Sequence, residues 1–283
     1  MAVKQLLRPT NRRMRWLVGL LLVGLFCIQC IPSNPGGHST VAIAKNASPA
    51  DSPQRIADLA RADHVALLAL CRQRYVQNVR DYTCTLIKQE RINGALGDEQ
   101  EIAVKFLEAP FSVAMTWVRN APLGDKVLYV EGKYDNQMIV RPSNALLRML
   151  APSVFRKPDG PEAMRNTLRP ASTFGFHRGL RDLVAVYEEA RKAGDLEQRF
   201  GGYATVEGRR AIVLERYLPP KDEYPAWKTL VYIDLEHFVP ICIEGYDWQK
   251  RLSCRYVYKD IAFNVGLTAD DFSPEANGLP LPK

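Results

Sequence analysis

The sequence has no internal repeat and no unbroken apolar stretch of the roughly 20 residues that a spanning helix requires. It has only four histidines, His38, His64, His177 and His237, none paired at metal-ligand spacing, and H-E-x-x-H is absent. Gly-x-Ser-x-Gly, the turn that presents a hydrolase nucleophile, is missing as well. Gly132-Lys133 is no phosphate loop, because the earlier glycine is lacking and Tyr134 stands where a Ser or Thr is needed. These absences leave no motif for metal-assisted, serine or nucleotide chemistry. Acidic residues are also missing from positions 1–44, which hold Lys4, Arg8, Arg12, Arg13 and Arg15. The net charge of +7 therefore sits mostly at the N-terminus, and the remaining 33 basic and 31 acidic residues nearly cancel, leaving no nucleic-acid footprint. What remains is ordinary globular composition, 47% hydrophobic and 24% charged, in a 283-residue chain long enough to bury a core.

The five N-terminal charges precede a 13-residue apolar run, Trp16 to Ile28. A basic segment followed by a short apolar run reads as a secretory signal. Ala42-Ile43-Ala44 has the small-x-small form of a cleavage site, placing Lys45 first in the mature chain. Extension through Gln29, Cys30 and Ile31 would instead make an uncut inner-membrane anchor over residues 16–31. Cys27 and Cys30 read as small hydrophobes of this helix. Residues 1–44 are thus assigned to a signal peptide or signal anchor, 45–58 to a flexible linker, 59–273 to one domain and 274–283 to a C-terminal tail. The destination is the periplasm or cell envelope.

Ser52-Pro53 has the form of a helix start. Val65, Leu68, Cys71, Tyr75 and Val79 then recur at steps of three and four, the stripe of one amphipathic helix. After Asp81 the period becomes two. Tyr82–Ile87 is rich in β-formers, and Ile102, Val104 and Phe106 alternate with Ala103 and Lys105. Phe111, Val113, Met115 and Trp117 share one strand face. Val127–Glu131 and Gln137–Val140 continue the series, and residues 142–170, with five prolines, read as loops and brief helices. Leu180, Leu183, Val184 and Tyr187 mark a second helix ended by Gly194. Strand character returns at Tyr203–Val206, Ala211–Tyr217, Thr229–Leu235, Val239–Tyr246 and Leu252–Asp260. Helix, antiparallel strands, helical insertion and more strands define an α+β domain.

The last third carries Val231-Tyr-Ile-Asp234, Val239-Pro240, Ile241-Cys-Ile-Glu-Gly-Tyr246, Tyr256-Val-Tyr258-Lys-Asp260-Ile261, Asn264 and Asp271-Phe272. With the Val206-Glu-Gly208 turn, this resembles the periplasmic lipoprotein-carrier and lipoprotein-sorting (LolA-like) superfamily over roughly residues 60–272. Asp81-Tyr-Thr-Cys-Thr-Leu-Ile-Lys-Gln-Glu-Arg91 and Leu128-Tyr-Val-Glu-Gly-Lys133 more narrowly resemble a related exported bacterial domain-of-unknown-function family. The resemblance implies a strongly curved antiparallel sheet, a half-barrel, with helices covering its concave face. In the carriers that concavity holds acyl chains; other relatives use the fold as a sensor or binding module.

Candidate functional residues follow from both readings. Phe106, Phe111, Val113, Met115, Trp117, Tyr129 and Met138 form either a plain core or the wall of an apolar cavity, where Met and aromatic side chains suit adaptable acyl contacts. His177 lies near Ser172, Thr173 and Arg178 but reads as a polar residue at a helix start, and His237 as a solvated turn residue. Glu188-Glu189 and Asp270-Asp271 read as a solvated helix face and a turn or cap; Asp222-Glu223 is a third adjacent pair. Arg165, Arg169, Arg178 and Arg181 form a local basic patch. The chain is therefore expected to be a binding module rather than an enzyme, without metal or cofactor. Its ligand would be a lipid, a lipoprotein acyl chain or another apolar molecule. A structural or sensory interaction domain with a closed core is the rival reading, and a hydrolase of an envelope substrate the third.

Cys242 and Cys254 flank a hairpin. Pairing Ile241 with Cys254, Ile243 with Leu252, Val239 with Tyr256 and Glu244 with Arg251 buries one apolar face. That register turns Cys254 into the core and Cys242 outward beside Ser253, which forbids a direct disulfide.

Overall fold

The structure is a computed structural model that describes residues 53–282. The expected export segment, its Ala42-Ile43-Ala44 site and the Cys27/Cys30 pair lie outside the described residues.

The expected single N-terminal helix is two, α1 (Pro53–Ala62) and α2 (His64–Asn78). Asp63 separates them in an extended conformation, and its carboxylate accepts from Ala66 N at 3.1 Å, capping α2. The stripe is as expected, with Val65, Leu68, Cys71, Tyr75 and Val79 all buried. The chain then builds β1 (Asp81–Ile92), the short β2 (Ala95–Leu96), β3 (Gln100–Leu107), β4 (Ser112–Arg119), β5 (Gly124–Val130) and β6 (Met138–Pro142). Next come α3 (Ala145–Leu150), β7 (Val154–Arg156) and α4 (Phe176–Ala193), the last ended by Gly194 at φ +73°. The second run of strands is β8 (Glu197–Val206), β9 (Arg209–Tyr217), β10 (Lys228–Asp234), β11 (Pro240–Tyr246) and β12 (Leu252–Phe263).

The spatial order is β7-β6-β5-β4-β3-β1-β12-β11-β10-β9-β8, with β2 pairing to β1. Two antiparallel meanders thus lie side by side, joined where β1 pairs with β12, and the sheet is open at β7 and β8. A flat sheet of this width would span roughly 50 Å at the usual strand spacing. Yet Val113 and Met115 of β4 and Ile212 and Leu214 of β9 belong to one continuous core with α1, α2 and α4. The sheet curls around its helices, and the fold is the α+β half-barrel expected. Because β7 and β8 are opposite edges, the chain between them must cross the concavity, and residues 157–175 with α4 form that crossing.

Several boundaries differ from the sequence reading. The packed unit begins at Pro53 rather than 59, since Ile56, Ala57 and Ala60 of α1 are buried. It also runs beyond 273. Leu279 joins Phe272 on the convex face against Leu107, Ala114, Leu128, Val130 and Ile139, so residues 274–279 are part of the fold. Strand β8 starts at Glu197, six residues before the expected Tyr203. It is an edge strand interrupted at Gly201-Gly202, where the register shifts, so its apolar alternation is broken.

The β11–β12 hairpin has a different register from the expected one. Ile243 faces Tyr256, Glu244 faces Arg255 and Gly245 faces Cys254, a displacement of four residues. The cause is local. The Asp247 carboxylate accepts from Gln249 N (3.0 Å) and Arg251 N (2.9 Å) and pairs with the Arg251 guanidinium, moving the turn towards the C-terminus. An even displacement keeps every side chain on its face. Cys254 stays on the concave side and Cys242 on the convex side, and both are free thiols, as are Cys71 and Cys84. Cys242 is not solvated beside Ser253, however: Ile87 and Val257 cover it, and burial pushes its thiol up to about 12.

Candidate functional site

Alternation brings the seven expected wall residues to one place. Phe106 on β3, Val113, Met115 and Trp117 on β4, Tyr129 on β5, Met138 on β6 and Phe111 just before β4 all belong to the concave core. Cross-strand register aligns them, with Phe106 opposite Val113 and Val113 opposite Tyr129. Six are buried; Trp117 is half-buried, its Nε1 donating to Gln100 Oε1 at 2.8 Å. The crossing segment lies directly on this wall. The Phe106 ring stacks on Tyr82 (centroids 4.8 Å), meets Phe111 edge-on (5.3 Å) and touches Phe174 (5.8 Å). Gly175, at φ +100°, comes so close that a Cβ there would stand 2.7 Å from the Phe106 ring. Arg178 lies 3.7 Å over the Phe111 ring while donating to both Glu131 carboxylate oxygens at 3.0 Å. Roof and wall are therefore in van der Waals contact, tied at the rim by an ion pair.

Towards the other end of the strands the same concave face turns polar. Tyr82, Cys84 and Leu86 of β1 are followed on their face by Lys88 and Glu90, both buried. Register then carries one row across five strands: Glu90 opposite Cys254, Cys254 opposite Gly245, Gly245 opposite Thr229, and Thr229 opposite Arg216. Gly245 lets the Cys254 thiol pack against its backbone, since a Cβ there would stand 2.9 Å from Cys254 Sγ. Glu90 is fully engaged. Its Oε1 accepts from Tyr256 OH (2.5 Å), and its Oε2 accepts from Leu168 N (3.2 Å) and pairs with Lys88 Nζ at 3.1 Å. Lys88 also donates to Thr167 Oγ1 at 2.8 Å. The crossing segment is thus anchored to the sheet here by hydrogen bonds, with Arg169 over the Tyr256 ring at 5.7 Å and open to solvent. At the far end Arg216 is 2% exposed, donates one hydrogen bond to Thr229 Oγ1 (2.8 Å) and lies 4.9 Å from the Tyr187 ring of α4.

The sequence signal for this row was the continuation of the buried parity of β1 into Lys88 and Glu90. Arg169 drew notice only as part of the basic patch. The structure breaks that patch up: Arg178 pairs with Glu131, Arg181 with Asp182, and Arg169 with the Tyr256 ring. His177 is the second residue of α4, its Nδ1 3.8 Å from Glu108 Oε2, and neither Ser172 nor Thr173 bonds to it: Thr173 Oγ1 donates to Pro170 O, and Arg178 to Ser172 O. Asp271 closes a capping box with Thr268, and Glu188-Glu189 lies on the outer side of α4.

His237 is not a plain solvated turn residue. It converges with Asp234 and Glu236, and the three offer ligand atoms within 4.8 Å of one another. The centre of this cluster is taken by Arg209, whose Nη2 lies 2.7 Å from Asp234 Oδ2, 3.2 Å from Glu236 Oε2 and 2.5 Å from His237 Nδ1. A guanidinium therefore serves where a metal would sit. Burial alone would raise the Asp234 pKa, but hydrogen bonds from His237 and Arg209 outweigh it and hold the carboxyl at about 2. A surface hollow of about 600 Å³ lies against this turn, and another of about 300 Å³ lies between Ala62-Asp63 and Arg191.

A curved antiparallel sheet open at both edges, with helices and one crossing segment in its concavity, defines the class: this is an α+β half-barrel. Within that class, the chain belongs to the family described as "Protein of unknown function (DUF1571)", whose signature matches residues 79–278. No curated protein sequence matches the chain. Among solved structures it is similar to MucB in the Pseudomonas aeruginosa MucA/MucB complex, with 15% identity, 76% of this chain and 62% of that chain covered, and a TM-score of 0.44. It is similar to the Mycobacterium tuberculosis lipoprotein LppX, with 11% identity, 73% and 99% covered, and a TM-score of 0.41. It is also similar to a Vibrio parahaemolyticus putative outer membrane lipoprotein-sorting protein domain, with 14% identity, 74% and 97% covered, and a TM-score of 0.36. The chain spans 62% of the length of the MucB structure. Among the described residues no helix is long and apolar enough to cross a membrane.

Proposed function

We propose that this is an exported envelope protein that binds a lipid, a lipoprotein acyl chain or another apolar ligand on the concave face of its half-barrel, without catalysis. The observation that carries the reading is the continuous wall of Phe106, Phe111, Val113, Met115, Trp117, Tyr129 and Met138, roofed by a crossing segment rather than by more sheet. Such a roof is attached at its rim by the Arg178–Glu131 and Lys88–Thr167 contacts. Its displacement would expose a face on which each buried methylene contributes about 0.8 kcal/mol. Residues 1–44 supply export, by cleavage or as an anchor. The test is native mass spectrometry and lipid extraction of the protein purified from the envelope, where a co-purifying lipid is the expected result. Titration of a long-chain lipid should shift Trp117 fluorescence, and Met115→Asp should weaken binding at least tenfold by placing a charge on the wall. A folded Met115→Asp variant with unchanged affinity excludes this wall.

A second reading, an interaction domain whose core stays closed, is favoured by α3. Its Leu146, Leu147, Met149 and Leu150 are 53–82% exposed, an apolar surface unusual for a free monomer. A protein that neither carries nor takes up lipid would support it.

A further inference from the structure

Arg216 is the least explained side chain in the molecule. It is buried on the concave floor, its Nε and Nη1 have no hydrogen-bond partner, and the Tyr187 hydroxyl above it has none either. The ionisable groups that act on its charge are Tyr187 and a second cation, Arg169; no carboxylate is among them. Glu90, at the opposite end of the row, is already saturated by Lys88, Tyr256 and Leu168 N. The polar end of the concavity thus holds Arg216, Arg169 and Lys88 against one carboxylate. A buried guanidinium without a counter-charge is destabilising, and its replacement by an apolar residue of similar volume is often neutral or stabilising. The row is nonetheless built around it: Thr229 orients one nitrogen, and Arg169, the second cation at this end, is exposed.

We propose that the Arg216 end of the row is the anion subsite of the binding face, taking the carboxylate or phosphate head of an amphiphile whose chain lies along the apolar wall. Arg216 Nε and Nη1 lie on different edges of the guanidinium, and each keeps an N–H donor that such a head can accept. Arg169 completes the charge at the solvent side. The inference rests on the proposed binding of apolar ligands and adds the chemistry of the head.

The test compares dodecanoate, dodecyl phosphate and dodecanol, three probes with one chain, on the purified protein. The wild type should bind both anions about tenfold or more tightly than the neutral alcohol. Arg216→Met should bring all three within about twofold of each other and raise the melting temperature of the free protein, while Arg216→Lys keeps part of the preference. Equal affinity of the wild type for dodecanoate and dodecanol overturns the anion subsite and leaves the apolar reading standing. Failure to bind any of the three overturns both. The wild-type comparison needs no variant to fold. A preference that survives Arg216→Met also refutes the assignment.

Discussion

Replacing Asp234 by Asn should remove a clamp at the β10–β11 turn with little change of shape. Asp234 is 1% exposed, and its Oδ2 accepts from Arg209 Nη2 at 2.7 Å and from the His237 backbone N at 2.9 Å. Burial opposes ionisation, yet these bonds hold the carboxyl at about 2. Against about 3.9 in an unfolded chain, that difference corresponds to about 2–3 kcal/mol of stability. Because the folded value is the lower one, the contribution is complete above about pH 4–5 and falls to roughly half at pH 3. It is lost as the pH drops below about 2. Asn keeps an acceptor for His237 N but leaves Arg209 only the exposed Glu236 as a carboxylate partner. Urea unfolding followed by circular dichroism at pH 7 should show the variant less stable by about 2–3 kcal/mol, equivalent to roughly 5–10 °C in Tm for a unit of this size. The gap between the two proteins should narrow steadily between pH 5 and pH 3. A difference below about 0.5 kcal/mol at pH 7, or a gap independent of pH, refutes the clamp.

Gly175→Ala should destabilise by about 2–4 kcal/mol, because it adds strain at φ +100° to a Cβ 2.7 Å from the Phe106 ring; a Tm unchanged within 1–2 °C would mean the roof does not rest on the wall. Peptide mapping without reduction should give no Cys242–Cys254 link, since the two thiols lie on opposite faces, and a linked peptide refutes the register. Replacing Leu20, Leu21 and Leu22 by Asp should hold the protein in the cytoplasm by abolishing the apolar run, and normal export of that variant sinks the signal reading.

The sequence by itself determined what is local. The stripe Val65 to Val79, the alternation in Phe111 to Trp117 and the stop at Gly194 are one-dimensional periods, readable because a helix repeats near 3.6 and a strand at two. Parity even decided the cysteines correctly when the register was displaced by four residues, since an even displacement preserves faces. The helix break at Asp63 lies ahead of the stripe that begins at Val65, so that period could not register it. Tertiary structure alone decided which strands are neighbours, and with them the polar row. Glu90, Cys254, Gly245, Thr229 and Arg216 lie on five strands scattered over more than a hundred residues, and only pairing brings them side by side. The roof is equally non-local: residues 142–170 read as loops and brief helices until β7 and β8 prove to be opposite edges of one sheet. Whether Phe106 or Met115 faces a ring, a lipid or water depends on what crosses above it. No spacing along the chain encodes that, because the crossing follows from the order of strands in space.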